Sequence, residues 1–130
     1  NMKLNVRVHP AVQDIFDKYI ESSMLLMTSL YEPFGLVLVE AMSCGLPVVA
    51  FNCPYGPADI IHSGKDGCLV ENRNIEAYSK CVCQLMENEQ LRQDMGRAAV
   101  LSSQRYKAEN IMSRWNQLFK ELRDSMALNN

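Results

Sequence analysis

Two carboxylates, Glu32 and Glu40, lie eight positions apart in an otherwise largely apolar stretch of this chain. Glu32 precedes Pro33, and a residue before proline favours extended backbone, so Glu32 is expected to end a loop. Gly35 has no side chain at the bend that follows, which allows a ligand to approach the backbone closely. Two acidic groups beside accessible backbone amides suit a ligand rich in hydroxyl groups. This stretch therefore predicts a site for a sugar or a ribose.

The apolar residues after Gly35 predict a helix that ends at Ser43 or Cys44. The N–H groups of its first turn have no helical acceptors, so they favour anionic or oxygen-rich ligands. Glu40 has no cationic residue within reach along this helix, and burying an unpaired carboxylate is costly. Its side chain is therefore expected to face water, a ligand or a cation from a distant part of the chain.

Strands and helices alternate along the sequence, which predicts a Rossmann-like α/β fold, a parallel sheet with helices on both faces. Ligands in such sheets bind beyond the carboxyl ends of the strands, and Glu32 follows the predicted buried strand Met24–Thr28. The predicted strands are Val6–His9, Met24–Thr28, Leu46–Phe51 and Cys68–Val70. The predicted helices are Val12–Glu21, the segment after Gly35, Ala58–His62, a helix beginning after Asn74, Leu91–Leu101 and Ala108–Leu122.

Two of these helices carry apolar stripes that predict which side of the helix is buried. Asn74 is expected to cap a helix whose buried face includes Ile75 and Leu85. The stripe of the last helix, which includes Trp115 and Phe119, is expected to pack in the core.

Length, charge and cysteine content limit the classes of protein to consider. The 130 residues make one domain with a sizeable core, and 13 basic against 15 acidic residues do not favour a nucleic-acid partner. Five cysteines, mostly in apolar runs, favour reduced thiols in the cytoplasm over a disulfide framework. The sequence shows neither a signal peptide nor the run of about 18 apolar residues that a membrane span needs.

The segment from Glu32 to Val70 resembles the retaining glycosyltransferases of the GT-B fold, family 4, also described as glycosyl transferases group 1. The resemblance rests on the Glu-x7-Glu spacing of Glu32 and Glu40, the helix–turn–strand sequence Ala41–Ala50, and the turn Gly64–Gly67 before the next strand. It implies an enzyme that transfers a hexosyl group from a nucleotide sugar to a glycan or lipid-linked acceptor, with retention at the anomeric carbon.

By this resemblance, Glu32 is the catalytic residue that contacts the hydroxyls of the donor sugar, as an orienter and charge stabiliser. Phe34, Gly35 and Leu36 are donor-binding residues that offer backbone amides to the sugar or the diphosphate, and Glu40 accepts hydrogen bonds from the ribose diol. The resemblance implies no metal or other cofactor, and the sequence contains no Asp-x-Asp metal motif.

The resemblance also implies that residues 1–130 are a single partial domain, a truncated C-terminal, donor-binding half whose N-terminal acceptor domain is absent. Such a fragment is expected to be inactive alone, and its parent to act in the cytoplasm, with peripheral contact at the inner face of the membrane. Two strands outside this chain would separate Val6–His9 from Met24–Thr28 in the family's sheet. We therefore expect Val6–His9 to be displaced or disordered, or the fragment to self-associate through exposed sheet edges.

Several residues have simpler interpretations. His9 stands where the family usually has glycine, which favours a surface histidine over a contact with the nucleobase, and His62 is predicted to be a turn residue. Tyr55 and Asp59 either line the cleft that lies between the two domains of enzymes in this family, or shape the turn Asn52–Pro57. The alternative function is a non-catalytic α/β module that binds a nucleotide or a protein partner through the same loop and helix.

Overall fold

The computed structural model describes residues 5–128 of the chain. Three parallel strands form one sheet in the order β1-β2-β3. The strands are β1 (Leu25–Met27), β2 (Val48–Asn52) and β3 (Gly67–Glu71). The helices are α1 (Phe16–Ile20), α2 (Leu36–Ser43), α3 (Gly56–Ile60), α4 (Ile75–Glu87), α5 (Glu89–Ser103) and α6 (Ala108–Leu128), with a 3-10 turn (Gln104–Tyr106) before α6.

The central strand β2 is apolar from Val48 to Phe51 because helices cover both of its faces. Val48 and Ala50 pack with side chains of α2 and α3, whereas Val49 and Phe51 pack with side chains of α4. This alternation follows from the two-residue period of a strand, which sends successive side chains to opposite faces. The predicted α/β fold, with helices on both faces of a parallel sheet, is confirmed.

β1 is less buried than the sequence predicts. The continuous apolar run Met24–Thr28 predicts a strand that is buried on both faces, but the observed strand is Leu25–Met27 and the side chain of Leu26 is 48% exposed. Met27 is buried with the α2 side of the core. Leu26 points to the opposite face, where α4 packs mainly against β2 and β3.

The chain before β1 forms less regular structure than predicted. Val6–His9 is exposed coil and pairs with no strand among residues 5–128, so the predicted strand is wrong and the expected displacement is observed. The helix predicted over Val12–Glu21 begins only at Phe16, whose N–H donates to Asp14 Oδ1 at 2.9 Å. Only Tyr19 of α1 is buried, because most of the helix is one solvent-exposed turn. Self-association through the sheet edge stays a prediction.

The predictions for the two helices with apolar stripes, α4 and α6, have different outcomes. The cap of α4 is confirmed, since Asn74 Oδ1 accepts a hydrogen bond from Ala77 N at 3.0 Å, although Ile75 is exposed. The stripe of α6 is not in the core: Trp115 is 49% and Phe119 59% exposed. An amphipathic pattern shows that a helix has one apolar face, but it does not show that the residues covering this face belong to the same part of the chain. Within residues 5–128, no helix is both long and apolar enough to cross a membrane.

Candidate functional site

The bend that leads into α2 requires glycine. Gly35 has a φ of 98°, in the left-handed region that disfavours residues with a Cβ atom. A Cβ atom at this position would lie 3.1 Å from Leu38 Cδ1 and 3.3 Å from Glu32 Cγ. Both the backbone conformation and the available space therefore agree with the bend that the sequence predicts.

Glu32 is held by backbone hydrogen bonds to the segment after β2. Its N–H donates to Pro54 O at 2.8 Å, and its carbonyl accepts from Tyr55 N and Gly56 N, both at 2.9 Å. Gly56 allows the two segments to approach, because a Cβ atom there would lie 1.8 Å from Phe34 O. The backbone of the loop is thus fixed, while the Glu32 side chain is half-buried at the carboxyl end of the sheet.

The first turn of α2 presents unpaired amide groups. Gly35 provides no side-chain cap, and Leu38 N–H already donates to Gly35 O at 2.9 Å. Within the described part of the chain, no backbone carbonyl accepts a hydrogen bond from the N–H of Phe34, Gly35 or Leu36. These three residues, predicted from the sequence to bind a donor, therefore lie together at a helix N-terminus that favours negative charge.

Glu40 lies one turn further along α2 and has a partner that the sequence did not reveal. Its Oε2 accepts a hydrogen bond from the hydroxyl of Tyr19 at 3.0 Å. Burial of the ring, followed by this hydrogen bond, raises the pKa of Tyr19 to about 12, so the phenol stays neutral near pH 7. Among residues 5–128, neither Glu32 nor Glu40 takes part in an ion pair. No sequence signal connects Tyr19 with Glu40, since only the packing of α1 on α2 brings them together.

Side chains of the 3-10 turn contact both the loop before α2 and the end of α3. The Tyr106 ring meets the Phe34 ring edge-to-face at a centroid distance of 5.4 Å, and its hydroxyl donates to Asp59 O at 3.0 Å. Arg105 Nη2 donates to Asp59 O at 3.0 Å and to Ile60 O at 2.5 Å. The turn therefore ties the end of α3 to the aromatic side chain of the loop, a role that the sequence analysis missed for both residues.

His62 is more than a turn residue. Its Nδ1 lies 2.7 Å from Oδ2 of Asp66, a fully buried carboxylate whose Oδ1 accepts from His62 N at 2.7 Å. Its Nε2 lies 3.3 Å from Arg105 Nη1. A tautomer with the proton on Nδ1 satisfies both contacts, since Nδ1 then donates to the carboxylate and Nε2 accepts from the guanidinium.

The other singled-out residues lie on the surface. His9 is exposed on the coil before α1, as expected for a surface histidine. Tyr55 is 70% exposed beside Glu32, and its ring lies edge-to-face with Tyr31 at a centroid distance of 6.1 Å. Within residues 5–128, His, Cys, Asp and Glu side chains form no group of three that could hold a metal ion.

The comparison with known families assigns the chain. The family model described as glycosyl transferases group 1 matches residues 1–101. The chain belongs to this family. The chain is similar to the amylovoran biosynthesis glycosyltransferase AmsD of Erwinia amylovora, with 38% identity over 104 residues that cover 80% of this chain and 29% of the relative. It is also 36% identical over 111 residues to the exopolysaccharide phosphotransferase SCO2592 of Streptomyces coelicolor, covering 85% of this chain and 12% of that protein.

Solved structures of glycosyltransferases share the fold of this chain. The crystal structure of a point mutant of S. aureus TarM in complex with Fondaparinux, alpha-GlcNAc-glycerol and UDP superposes with a TM-score of 0.73 and 37% identity. The match covers 81% of this chain and 22% of TarM. The structural neighbours are GT-B glycosyltransferases, so the GT-B assignment is confirmed. The chain spans less than a third of each relative named here.

Proposed function

We propose that this chain is the donor-binding part of a larger retaining glycosyltransferase of family 4. The complete enzyme would transfer a hexosyl group from a nucleotide sugar to a glycan or lipid-linked acceptor. The observation that supports this most directly is the start of α2, where the unpaired amides of Phe34, Gly35 and Leu36 lie between Glu32 and Glu40 along the chain. The UDP bound to the related TarM structure supports a nucleotide donor.

The amides and the carboxylates suit different parts of such a donor. The amides at the N-terminus of α2 favour the diphosphate, because the helix dipole and the unpaired N–H groups both attract negative charge. A diphosphate that leaves the sugar gains charge on its oxygens, so donors already in place stabilise this charge as it develops. The carboxylates would repel a phosphate, but they accept hydrogen bonds from hydroxyl groups.

Glu32 and Glu40 therefore take separate roles in this proposal. Glu32 orients the sugar hydroxyls and stabilises the positive charge that develops near the anomeric carbon when its bond to the diphosphate breaks. Glu40 accepts hydrogen bonds from the ribose diol. The firm backbone attachment of Glu32 to Tyr55 and Gly56 supports its role, because catalytic groups must be held in place to within a fraction of an ångström.

We extend the proposal to the setting of the reaction. The complete enzyme would act without a metal, in the cytoplasm at the inner face of the membrane, a compartment with which the free thiols of this chain are compatible. The chain supplies one wall of the cleft. The acceptor site and the cations that neutralise the diphosphate would come from other parts of the protein, so the chain alone is expected to be inactive.

The proposal is tested on the complete protein with UDP-glucose, UDP-galactose and UDP-N-acetylglucosamine as donors. One of these is expected to raise the melting temperature and to support sugar transfer. Glu32→Gln is expected to lower kcat on the order of 100-fold, and Glu40→Gln to raise the KM for the donor. The matched control is Glu76→Gln, which changes an exposed carboxylate in the first turn of α4. Turnover that survives both site substitutions would contradict the proposal, and donor binding without any turnover would favour the non-catalytic module.

A further inference from the structure

The contact between Tyr19 and Glu40 has a consequence for nucleotide recognition. We propose that Tyr19 is a positioning residue, whose hydroxyl holds one oxygen of Glu40 so that the other oxygen faces the ribose hydroxyls of the donor. This inference deepens the proposed function and rests on it, because it assumes that Glu40 binds the ribose.

The surroundings of Tyr19 support a dedicated role for its hydroxyl. The residue is only 6% exposed, and Phe16 packs against its ring at a centroid distance of 6.0 Å. Glu40 Oε2, at 3.0 Å, is its hydrogen-bond partner within residues 5–128. Because the raised pKa keeps the phenol protonated, Tyr19 remains a donor to this carboxylate across the physiological pH range.

The chemistry of the carboxylate explains why such a partner matters. A glutamate has three rotatable side-chain bonds, and ordering a flexible side chain upon ligand binding reduces affinity. A hydrogen bond from a buried tyrosine orders Glu40 before the ligand arrives. Only Oε2 is engaged by Tyr19, so Oε1 keeps its full capacity to accept hydrogen bonds from a diol.

The test measures UDP and 2′-deoxy-UDP binding to the complete protein by isothermal titration calorimetry. The unmodified protein is expected to bind UDP more tightly than 2′-deoxy-UDP, because Glu40 accepts a hydrogen bond from the 2′-hydroxyl. Tyr19→Phe is expected to weaken UDP binding about fivefold to tenfold, the loss typical of one hydrogen bond, and to weaken 2′-deoxy-UDP binding much less. In a Glu40→Gln background, Tyr19→Phe is expected to cause little further loss, because the two residues act as one unit.

Two control variants separate positioning from packing. Tyr78→Phe makes the same chemical change in another buried tyrosine, whose hydroxyl donates to Val49 O at 3.0 Å in the core below the sheet. Phe16→Leu removes the ring that packs against Tyr19 and leaves the hydroxyl in place. Both are expected to leave the ratio of UDP to 2′-deoxy-UDP affinity unchanged, even where they lower the melting temperature.

The possible results distinguish the two hypotheses. If the unmodified protein binds UDP no more tightly than 2′-deoxy-UDP, or if Glu40→Gln leaves binding unchanged, the assignment of Glu40 to the ribose is wrong and the role of Tyr19 is overturned with it. Alternatively, the unmodified protein prefers UDP over 2′-deoxy-UDP, while Tyr19→Phe keeps this preference or weakens the binding of both ligands equally. In that case only the positioning role of Tyr19 is wrong.

A second measurement does not depend on the folding of a variant. The ¹³Cζ resonance of Tyr19 reports the hydrogen bonding of its hydroxyl by nuclear magnetic resonance. UDP is expected to shift this resonance in the unmodified protein, and 2′-deoxy-UDP to shift it less. Equal shifts with the two ligands, or none, would overturn the proposed contact.

Discussion

Replacing Gly56 by alanine tests how the loop at the start of α2 is held in place. An alanine Cβ atom would lie 1.8 Å from Phe34 O, 2.3 Å from Phe34 C and 2.6 Å from Phe34 Cα. All three atoms belong to the backbone, so no side-chain rotation can relieve the clash. The Phe34 peptide or the start of α3 must therefore move.

The size of the required movement follows from these distances. Real Cβ atoms essentially never approach other atoms closer than 3.0 Å, so the two backbones must separate by at least about 1.2 Å. A misplacement on the order of 1 Å can reduce turnover about 100-fold. The amides of Phe34, Gly35 and Leu36 belong to the displaced segment, so kcat/KM for the donor is expected to fall by this order. Overpacking of this kind also lowers the free energy of unfolding by about 1–3 kcal/mol.

The matched control is Gly64→Ala, which strains the backbone in the turn before β3, outside the loop. Gly64 has a φ of 81°, and a Cβ atom there would meet no atom within 4 Å. Its substitution is expected to lower the free energy of unfolding by about 1–2 kcal/mol through the left-handed conformation alone. The assay compares donor kcat/KM of the complete protein for both variants, with unfolding followed in urea.

Two results would refute this reasoning. The first is a Gly56→Ala variant with donor kinetics like those of the unmodified protein, because the loop would then tolerate the displacement. The second is an equal kinetic loss in Gly64→Ala, because the effect would then follow from lowered stability and not from the position of the loop.

Three further predictions concern stability. Leu38→Ala is expected to lower the free energy of unfolding by about 2–5 kcal/mol in urea titrations, since Leu38 is fully buried under the bend; a loss below about 1 kcal/mol would show that the core refills the space. His62→Ala is expected to cost about 1–3 kcal/mol, because buried Asp66 loses its imidazole partner, and an unchanged urea midpoint would argue against this pair. Burial raises the pKa values of Tyr19 and Tyr78 to about 12, so the folded protein keeps phenol protons that the unfolded chain releases above pH 10. This contribution to the free energy of unfolding is complete below pH 10 and is lost as the pH rises towards 12. In urea titrations, Tyr78→Phe is expected to lose less stability over this pH range than the unmodified protein. The same pH dependence in both proteins would contradict a raised pKa for Tyr78.

Local sequence patterns predicted the main features of the site. The order of Glu32, Pro33 and Gly35 predicts a loop end and a bend, because proline and glycine restrict or release the backbone of their own and adjacent residues. The helix after Gly35 was predicted to end at Ser43 or Cys44 and is observed as Leu36–Ser43. These features depend on neighbouring residues alone, so they can be inferred without knowing the path of the chain.

Contacts between distant parts of the chain could not be predicted in this way. The hydrogen bond from Tyr19 to Glu40 joins residues 21 positions apart. The hydrogen bond from Arg105 to Ile60 at the end of α3 joins residues 45 positions apart. The sequence shows a tyrosine, an arginine and a carboxylate, but only the packing of helices decides which groups meet.

The sequence by itself determined the α/β class, the position of the loop beside the sheet and the two carboxylates that flank the start of α2. The tertiary structure decided that Leu26 lies open at the sheet edge, that the α6 stripe with Trp115 lies outside the core, and that Tyr19 contacts Glu40. The physical reason is that hydrophobic periodicity reports which face of an element avoids water. The partner that covers this face depends on how the whole chain packs.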